Sequence, residues 1–380
     1  MNIIVLGAGL VGAPIAMDLA KDGTHMVTVA DRDRGAIERL EGAFGISTIE
    51  ADLSADGSVR SIVAEYDFVI DALPGFMGYR ALREIIEAGK DVVDIAFFPE
   101  DPFTLDELAR KNNVTAIVDC GVAPGMSNIL TGHAASMLDE TENVLILVGG
   151  LPRERHWPFE YKAVFSPIDV IEEYTRPARL VENGHLVVKP PLTEREYVDF
   201  EGIGTLEAFN SDGLRTLTET IEAKNMREKT LRYPGHAERM LMLNEAGFFS
   251  TEPMEVNGAE IRPIDFTSQI LLPNWKLEAG DVDFTVMRII VEGRKGAERL
   301  RYTYDLLDQY DEATGIHSMA RTTGYTATVA ARMVIAGLYV KKGISPPEFI
   351  GTDPECVEFM LEGLRRRGID YKESKTTGTY

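Results

Sequence analysis

Short apolar runs alternate with amphipathic stretches through the first third of the chain. Asn2-Ile3-Ile4-Val5-Leu6, Met26-Val27-Thr28-Val29-Ala30 and Phe68-Val69-Ile70-Asp71-Ala72-Leu73 read as strands, with further strands at 46–50, 91–96 and 114–119. Ile15, Ala16, Leu19 and Ala20 recur at helical spacing after the first run. Helices are expected at 56–65, at 78–88 with Leu82, Ile85 and Ile86 on one face, and at 103–112. Strands apolar on both faces that alternate with helices predict an α/β fold, a doubly wound parallel sheet.

The pattern changes at Gly121-Val122-Ala123-Pro124-Gly125, a turn-rich break read as the crossing between domains. A helix is expected at 126–138. Strand signals then dominate, at 144–148, 178–182, 185–188, 284–292 and 299–307, with helices at 212–223 and 236–246. Asn183-Gly184 between two of these strands is a type I′ hairpin signal. This second part reads as an α+β domain. A helix at 319–340 carries Ala320, Gly324, Ala327, Ala330, Ala331 and Ala336, small residues that permit close packing, and is expected to return to the first domain. A helix at 354–366 and a polar tail at 375–380, expected to be mobile, end the chain. The expected domains are 1–123 with 319–350 packed on it, an α+β substrate and oligomerisation domain at 124–318, and a C-terminal helix and tail at 351–380.

Gly7-Ala8-Gly9-Leu10-Val11-Gly12 lies between the first strand and the first helix. In a dinucleotide-binding Rossmann turn, Gly7 permits the tight turn, Gly9 lets backbone approach a pyrophosphate, and Gly12 lets helix and strand touch. Unpaired N–H groups at the helix start, including those of Leu10 and Val11, would face the anion. Asp31 ends the second strand 19 residues past Gly12, where an acid binds the adenosine ribose hydroxyls. Its charge favours NAD over NADP, although Arg32 and Arg34 could accommodate a 2′-phosphate, so NADP stays possible. Ligands on such sheets lie at the carboxyl ends of strands, which adds Asp52, Leu53, Ala72, Leu73 and Pro74 to the expected cofactor contacts.

Composition narrows the partners. The net charge is −22 over 380 residues, so nucleic acid and anionic membrane are poor partners. Cys120 and Cys356 make no CxxC metal pair or disulfide framework. Cys120 follows an apolar strand and reads as a packed thiol. No run reaches transmembrane length, and a reducing cytoplasm is the expected location. No spaced set of His, Cys, Asp and Glu suggests a metal.

Six stretches together resemble the saccharopine-dehydrogenase-like family, and within it the lysine 6-dehydrogenases. They are Ala72-Leu73-Pro74-Gly75-Phe76, the run from Asp119 to Asn128, Val148-Gly149-Gly150-Leu151-Pro152, the run from Glu172 to Arg179, the run from Glu207 to Arg215, and Thr230-Leu231-Arg232-Tyr233-Pro234-Gly235-His236. Their order and spacing span most of the chain. The resemblance implies an NAD(P)-binding domain, a substrate domain, a homodimer or homotetramer, and oxidation at a C–N bond. It points to NAD-dependent deamination of L-lysine at the ε-amine, giving 2-aminoadipate 6-semialdehyde. Oxidation of a secondary amine, as in saccharopine or carboxynorspermidine dehydrogenase, and a non-catalytic NAD(P) sensor are the alternatives.

A lysine-like substrate asks for particular groups. Its α-carboxylate suits a bidentate guanidinium, with Arg215 first, Arg232 second, and Arg176 and Arg179 behind them. Its ammonium groups suit carboxylates: Glu172, Glu173, Asp94 and Asp119, the last two at strand ends near the expected nicotinamide. Tyr174 and Asp212 lie in the same stretches and join the expected substrate contacts. A base must deprotonate the reacting ammonium and later help water attack the imine. His236, with a near-neutral pKa, is the expected base.

Overall fold

The computed structural model describes residues 1–164, 167–278 and 280–378. The chain divides into two compact units: Met1–Met137 with Met319–Tyr371, and Leu138–Ser318 with the segment from Lys372 onward.

Seven parallel strands form the sheet of the first unit, in the order Gly343–Ser345, Thr115–Ile117, Asp91–Asp94, Phe68–Asp71, Asn2–Leu6, Met26–Asp31, Ser47–Glu50. Ile3, Ile4, Val5 and Leu6 are all fully buried, as the unbroken apolar run requires of a strand covered on both faces. One of those faces packs Ile4, Leu6, Val69 and Val92 against Leu82, Ile85 and Ile86 of the helix Gly75–Glu87. Strand order reverses between Asn2–Leu6 and Phe68–Asp71, which opens the crevice where such sheets take ligands. Gly343–Ser345 was not among the expected strands; three residues carry too little periodicity to be read.

The units divide at Met137 and Leu138 rather than at 123 and 124. The stretch from Gly121 to Gly125 is a tight turn inside the first unit: Met126 N–H donates to Gly121 O (3.0 Å), and Gly125 stands at φ 137°. It starts the helix Met126–Ser136, whose Asn128 Oδ1 accepts from Gly125 N–H (3.4 Å). The helix Pro347–Gly351 lies on it so closely that a Cβ on Gly351 would stand 2.1 Å from Ile129 O. The small residues of Ser318–Ile335 do permit close packing: a Cβ on Gly324 would touch Ile15 at 3.0 Å, and Arg332 binds Asp18 (2.9 Å).

The second unit holds a nine-stranded sheet. Its main path runs Glu196–Phe200, Gly204–Asn210, Ala223–Arg232, Glu140–Pro152, Asp283–Lys295, Glu298–Gln309, Lys372–Thr377. The hairpin of Ala178–Glu182 and His185–Lys189 joins it at Ala223–Arg232, through Asn183 (φ 52°) and Gly184 (φ 79°), as a type I′ turn demands. Helices Pro167–Thr175, His236–Glu245 and Pro263–Trp275 share an apolar core of Tyr174, Phe209, Met240, Leu271 and Trp275.

Two expectations fail here. The helix at 212–223 shrinks to Leu217–Thr220, because Arg215 turns the chain at φ 52° and Ala223 opens a ten-residue strand. Much of the expected mobile tail is strand: Lys372–Thr377 pairs with Glu298–Gln309, held by backbone bonds while its residues stay exposed. No described helix is long and apolar enough to cross a membrane.

Candidate active site

The glycine turn has three different reasons for its glycines. Gly7 adopts φ 101°, and a Cβ there would stand 2.8 Å from Ala72 O. A Cβ on Gly12 would stand 2.1 Å from Gly7 O. At Gly9 a Cβ would meet nothing within 4 Å, so open space lies over that backbone. The helix Gly12–Ala20 finds its first backbone acceptor for Ala13 N–H, at Gly9 O (3.1 Å). Among the described residues, the N–H groups of Leu10, Val11 and Gly12 have no backbone acceptor. Three donors around an open cradle fit the pyrophosphate of a dinucleotide.

Asp31 ends its strand beside this turn, and its Oδ2 accepts from Ala8 N–H (2.6 Å) while Oδ1 accepts from Asp33 N–H (2.8 Å). It therefore shapes the loop that follows its strand. Arg32 is exposed, and Arg34 pairs with Glu38 (2.9 Å). Asp52 caps its own turn through Ser54 N–H and Oγ (2.9 and 2.6 Å), hydrogen bonds that hold its exposed carboxyl below the usual range. Leu53 is buried in the core. Ala72 and Leu73 form the wall against Gly7, with Ala72 N–H on Leu6 O (2.9 Å), and Pro74 precedes the helix Gly75–Glu87.

Three acids lie at or just past the ends of adjacent strands of this unit: Asp71 and Asp94 end theirs, and Asp119 follows Thr115–Ile117. Asp94 and Asp119 are buried, and Asp94 Oδ1 accepts from Ala96 N–H (2.6 Å), so it caps its loop. Asp71, not singled out from sequence, pairs in register with Asp94. Its Oδ1 accepts from Leu73 N–H (3.1 Å) and its Oδ2 is buried with no hydrogen-bond partner. Burial pushes the Asp71 carboxyl up to about 7, against the pull of the Leu73 N–H. The signal in sequence was one acid closing an otherwise apolar strand. Cys120 is a packed thiol, as expected, and burial with Asp94 and Asp119 nearby raises its pKa.

The second unit gathers most of the expected substrate residues. His236 starts its helix fully buried. Its Nδ1 faces Phe159 O (2.7 Å) and its Nε2 faces the Tyr174 hydroxyl (2.9 Å). Tyr174 in turn accepts from Arg232 Nε (3.3 Å), and Arg232 Nη2 donates to Glu173. Burial, with the Arg232 charge beside it, pushes His236 down to about 3. The near-neutral pKa expected of this histidine is thus corrected: it is a neutral core residue with both nitrogens bonded. Arg232 is likewise engaged, with Leu231 O (2.9 Å), the Tyr161 hydroxyl (3.5 Å) and the Tyr161 ring below it (4.4 Å). Tyr161, from a stretch that offered no motif, went unread.

Asp212 is held bidentately by Arg179 (2.9 and 3.0 Å), so that pair is structural. Arg215 is buried on the same loop, close enough to Arg176 that its charge lowers the Arg176 pKa, behind burial and against Glu172 (3.2 Å). Two guanidinium groups near one another in a dry setting suit a carboxylate ligand. Beneath the loop, Glu228 accepts from Ser211 Oγ (2.7 Å) and Gly213 N–H (3.0 Å), and burial pushes it up to about 7. Among the described residues, no group of His, Cys, Asp and Glu is arranged to hold a metal ion.

Known proteins share both units. Residues 3–117 match the family profile described as the saccharopine dehydrogenase NADP binding domain, and residues 121–369 match the saccharopine dehydrogenase C-terminal domain. Saccharopine dehydrogenase [NADP(+), L-glutamate-forming] of Saccharomyces cerevisiae is 25% identical over 450 residues, covering 99% of each chain. The mitochondrial alpha-aminoadipic semialdehyde synthase of Bos taurus is 22% identical over 99% of this chain, which spans only 48% of that protein. The apo structure of the yeast saccharopine dehydrogenase (L-Glu forming) superposes with a TM-score of 0.79 over 99% of both chains at 20% identity, a likeness of fold. With both domains matched in order across most of its length, the chain belongs to the saccharopine dehydrogenase family.

Proposed function

We propose that this chain is an NAD(P)-dependent dehydrogenase that deaminates L-lysine at the ε-amine, releasing ammonia and 2-aminoadipate 6-semialdehyde. The observation that carries the reading is the buried charge cluster of the second unit, where Arg176 and Arg215 suit a substrate carboxylate and Glu173 suits an ammonium. A non-catalytic sensor has no need of such a cluster. The names of the relatives favour a second reading, oxidation of the secondary amine of saccharopine.

Gly7, Gly9, Leu10, Val11 and Gly12 would hold the pyrophosphate, Asp31 and Arg32 the adenosine ribose, and Asp52, Leu53, Ala72, Leu73 and Pro74 the rim, Leu53 through its backbone. Bound NAD(P)+ supplies the hydride acceptor. The chain's own tasks are to orient the amine, take its proton and place water. On the nucleotide unit Asp94, at the end of its strand, and Asp119, just past the end of its own, are the candidates for placing water. Buried free thiols at Cys120 and Cys356 suit a reducing cytoplasm, and a homodimer or homotetramer follows the family reading.

Oxidation assays with each nucleotide test the reading. Lysine with NAD+ should yield NADH, and 6-hydroxynorleucine, which lacks the amine, should not. NADH from saccharopine and none from lysine would establish the second reading instead. Nucleotide binding without turnover of either would leave the sensor.

A further inference from the structure

We propose that Glu173 is the group that takes the proton from the substrate ammonium, and that Arg232, Tyr174 and His236 are its positioning residues. This rests on the amine-dehydrogenase reading above. The donors and acceptors of the buried chain fix one another from one end to the other. Phe159 O can only accept, so His236 Nδ1 carries the proton. Nε2 then holds a lone pair and must accept from the Tyr174 O–H. The Tyr174 oxygen is left to accept from Arg232 Nε–H, and three of the four Arg232 Nη–H bonds go to Leu231 O, the Tyr161 hydroxyl and Glu173 Oε2. Every bond has one direction. The remaining acceptor is Glu173 Oε1, which has no hydrogen-bond partner among the described residues.

Access points the same way. His236 and Tyr174 are fully buried and the Arg232 side chain is 2% exposed, whereas the Glu173 side chain is 20% exposed. Of the four side chains, the glutamate alone comes to the surface. The charged and titratable groups around Glu173 are Arg232 and Glu228 from the strand Ala223–Arg232, Tyr161 from the preceding coil, and Tyr174 and Asp169 from its own helix. Burial raises the Glu173 carboxyl, Arg232 pulls it down, and Asp169 raises it. In the step itself one N–H bond of the ammonium breaks and its electron pair stays on nitrogen, while an O–H bond forms at Oε1. An ammonium and a carboxylate become an amine and a carboxylic acid. Loss of both charges is favoured where water is scarce.

The test is the pH profile of kcat/KM for lysine and for saccharopine. Wild type should show an acid limb set by Glu173. Glu173→Gln should lose the limb and about a hundredfold in kcat/KM, in the range that general base catalysis supplies. Tyr174→Phe frees Arg232 from one of its anchors, weakens its hold on Glu173 and should move the limb to higher pH. A purely structural role would lower the folded fraction and leave the limb in place. Glu173→Asp keeps the base with a lower intrinsic pKa, so its limb should move down; it decides the matter if the Gln variant does not fold. Wild-type turnover with Glu173→Gln within threefold of it, or a limb that Glu173→Asp leaves unmoved, overturns the proposal alone. No turnover of either amine by wild type removes the proposal together with the reading it rests on.

Discussion

Gly9 and its two partner glycines show what a single residue can say. A Cβ at Gly7 or Gly12 would collide with backbone, and at Gly9 it would enter open space. Backbone contacts require the first two glycines, and the third leaves the space over its backbone open. The requirements at Gly9 and Gly12 and the positive φ of Gly7 are local, so the motif could be read from sequence; the Ala72 carbonyl that closes on Gly7 comes from a distant stretch and could not. His236 could not be read in the same way, because its partners Tyr174 and Phe159 lie 62 and 77 residues away. Burial and those partners replaced the near-neutral base with a neutral core histidine. Asp31 combines both kinds of role. Its Oδ2 holds Ala8 N–H, so Asp31→Ala should weaken every nucleotide, and the ratio between nucleotides is the informative quantity. If the carboxylate discriminates against a 2′-phosphate, the NAD Kd should rise about tenfold more than the NADP Kd, about 1.4 kcal/mol. Titration calorimetry with both nucleotides measures it, and equal losses would leave Asp31 a loop residue only.

At the scale of elements, long periodic segments were legible and short irregular ones were not. The parallel strands, the type I′ hairpin and the helix His236–Glu245 follow patterns of period and turn chemistry visible in the chain. The 211–216 loop does not, since it is shaped by Glu228 on a strand that pairs elsewhere. A Cβ on Gly213 would stand 2.5 Å from the Glu228 carboxyl carbon, so the loop is pressed onto that acid. Arg215 leaves the loop at φ 52° with its side chain buried beside Arg176. A lysine there keeps the charge and loses the planar fork. Arg215→Lys should raise the KM for lysine by tenfold to a hundredfold, the range of about 1.5–3 kcal/mol for hydrogen bonds to charged groups, and leave the nucleotide Kd unchanged. Unchanged KM would transfer the carboxylate to Arg176 alone.

The whole molecule carries a net charge of −22, and two of its buried carboxyls resist ionisation. Asp71 lies in the first unit and Glu228 in the second, each raised by burial to about 7. In the unfolded chain both titrate near the ordinary values of about 4. Between those pH values the folded state binds protons that the unfolded state has released. By linkage, the stability these groups contribute is present in full below the unfolded pKa and is lost as pH rises through about 7. Above that the loss is complete and the curve flattens. Thermal melts from pH 5.5 to 8.5 should therefore fall, and both units should share the fall. Asp71→Asn and Glu228→Gln keep an oxygen acceptor for Leu73 N–H and for Ser211 and Gly213, and remove the titration. Each should flatten the slope of its own unit and raise the melting temperature at pH 8.5 relative to wild type, the underlying gain in stability being on the order of a few kcal/mol at most. A wild-type melting temperature that stays level or rises from pH 5.5 to 7.5 would show that neither carboxyl holds its proton in the fold.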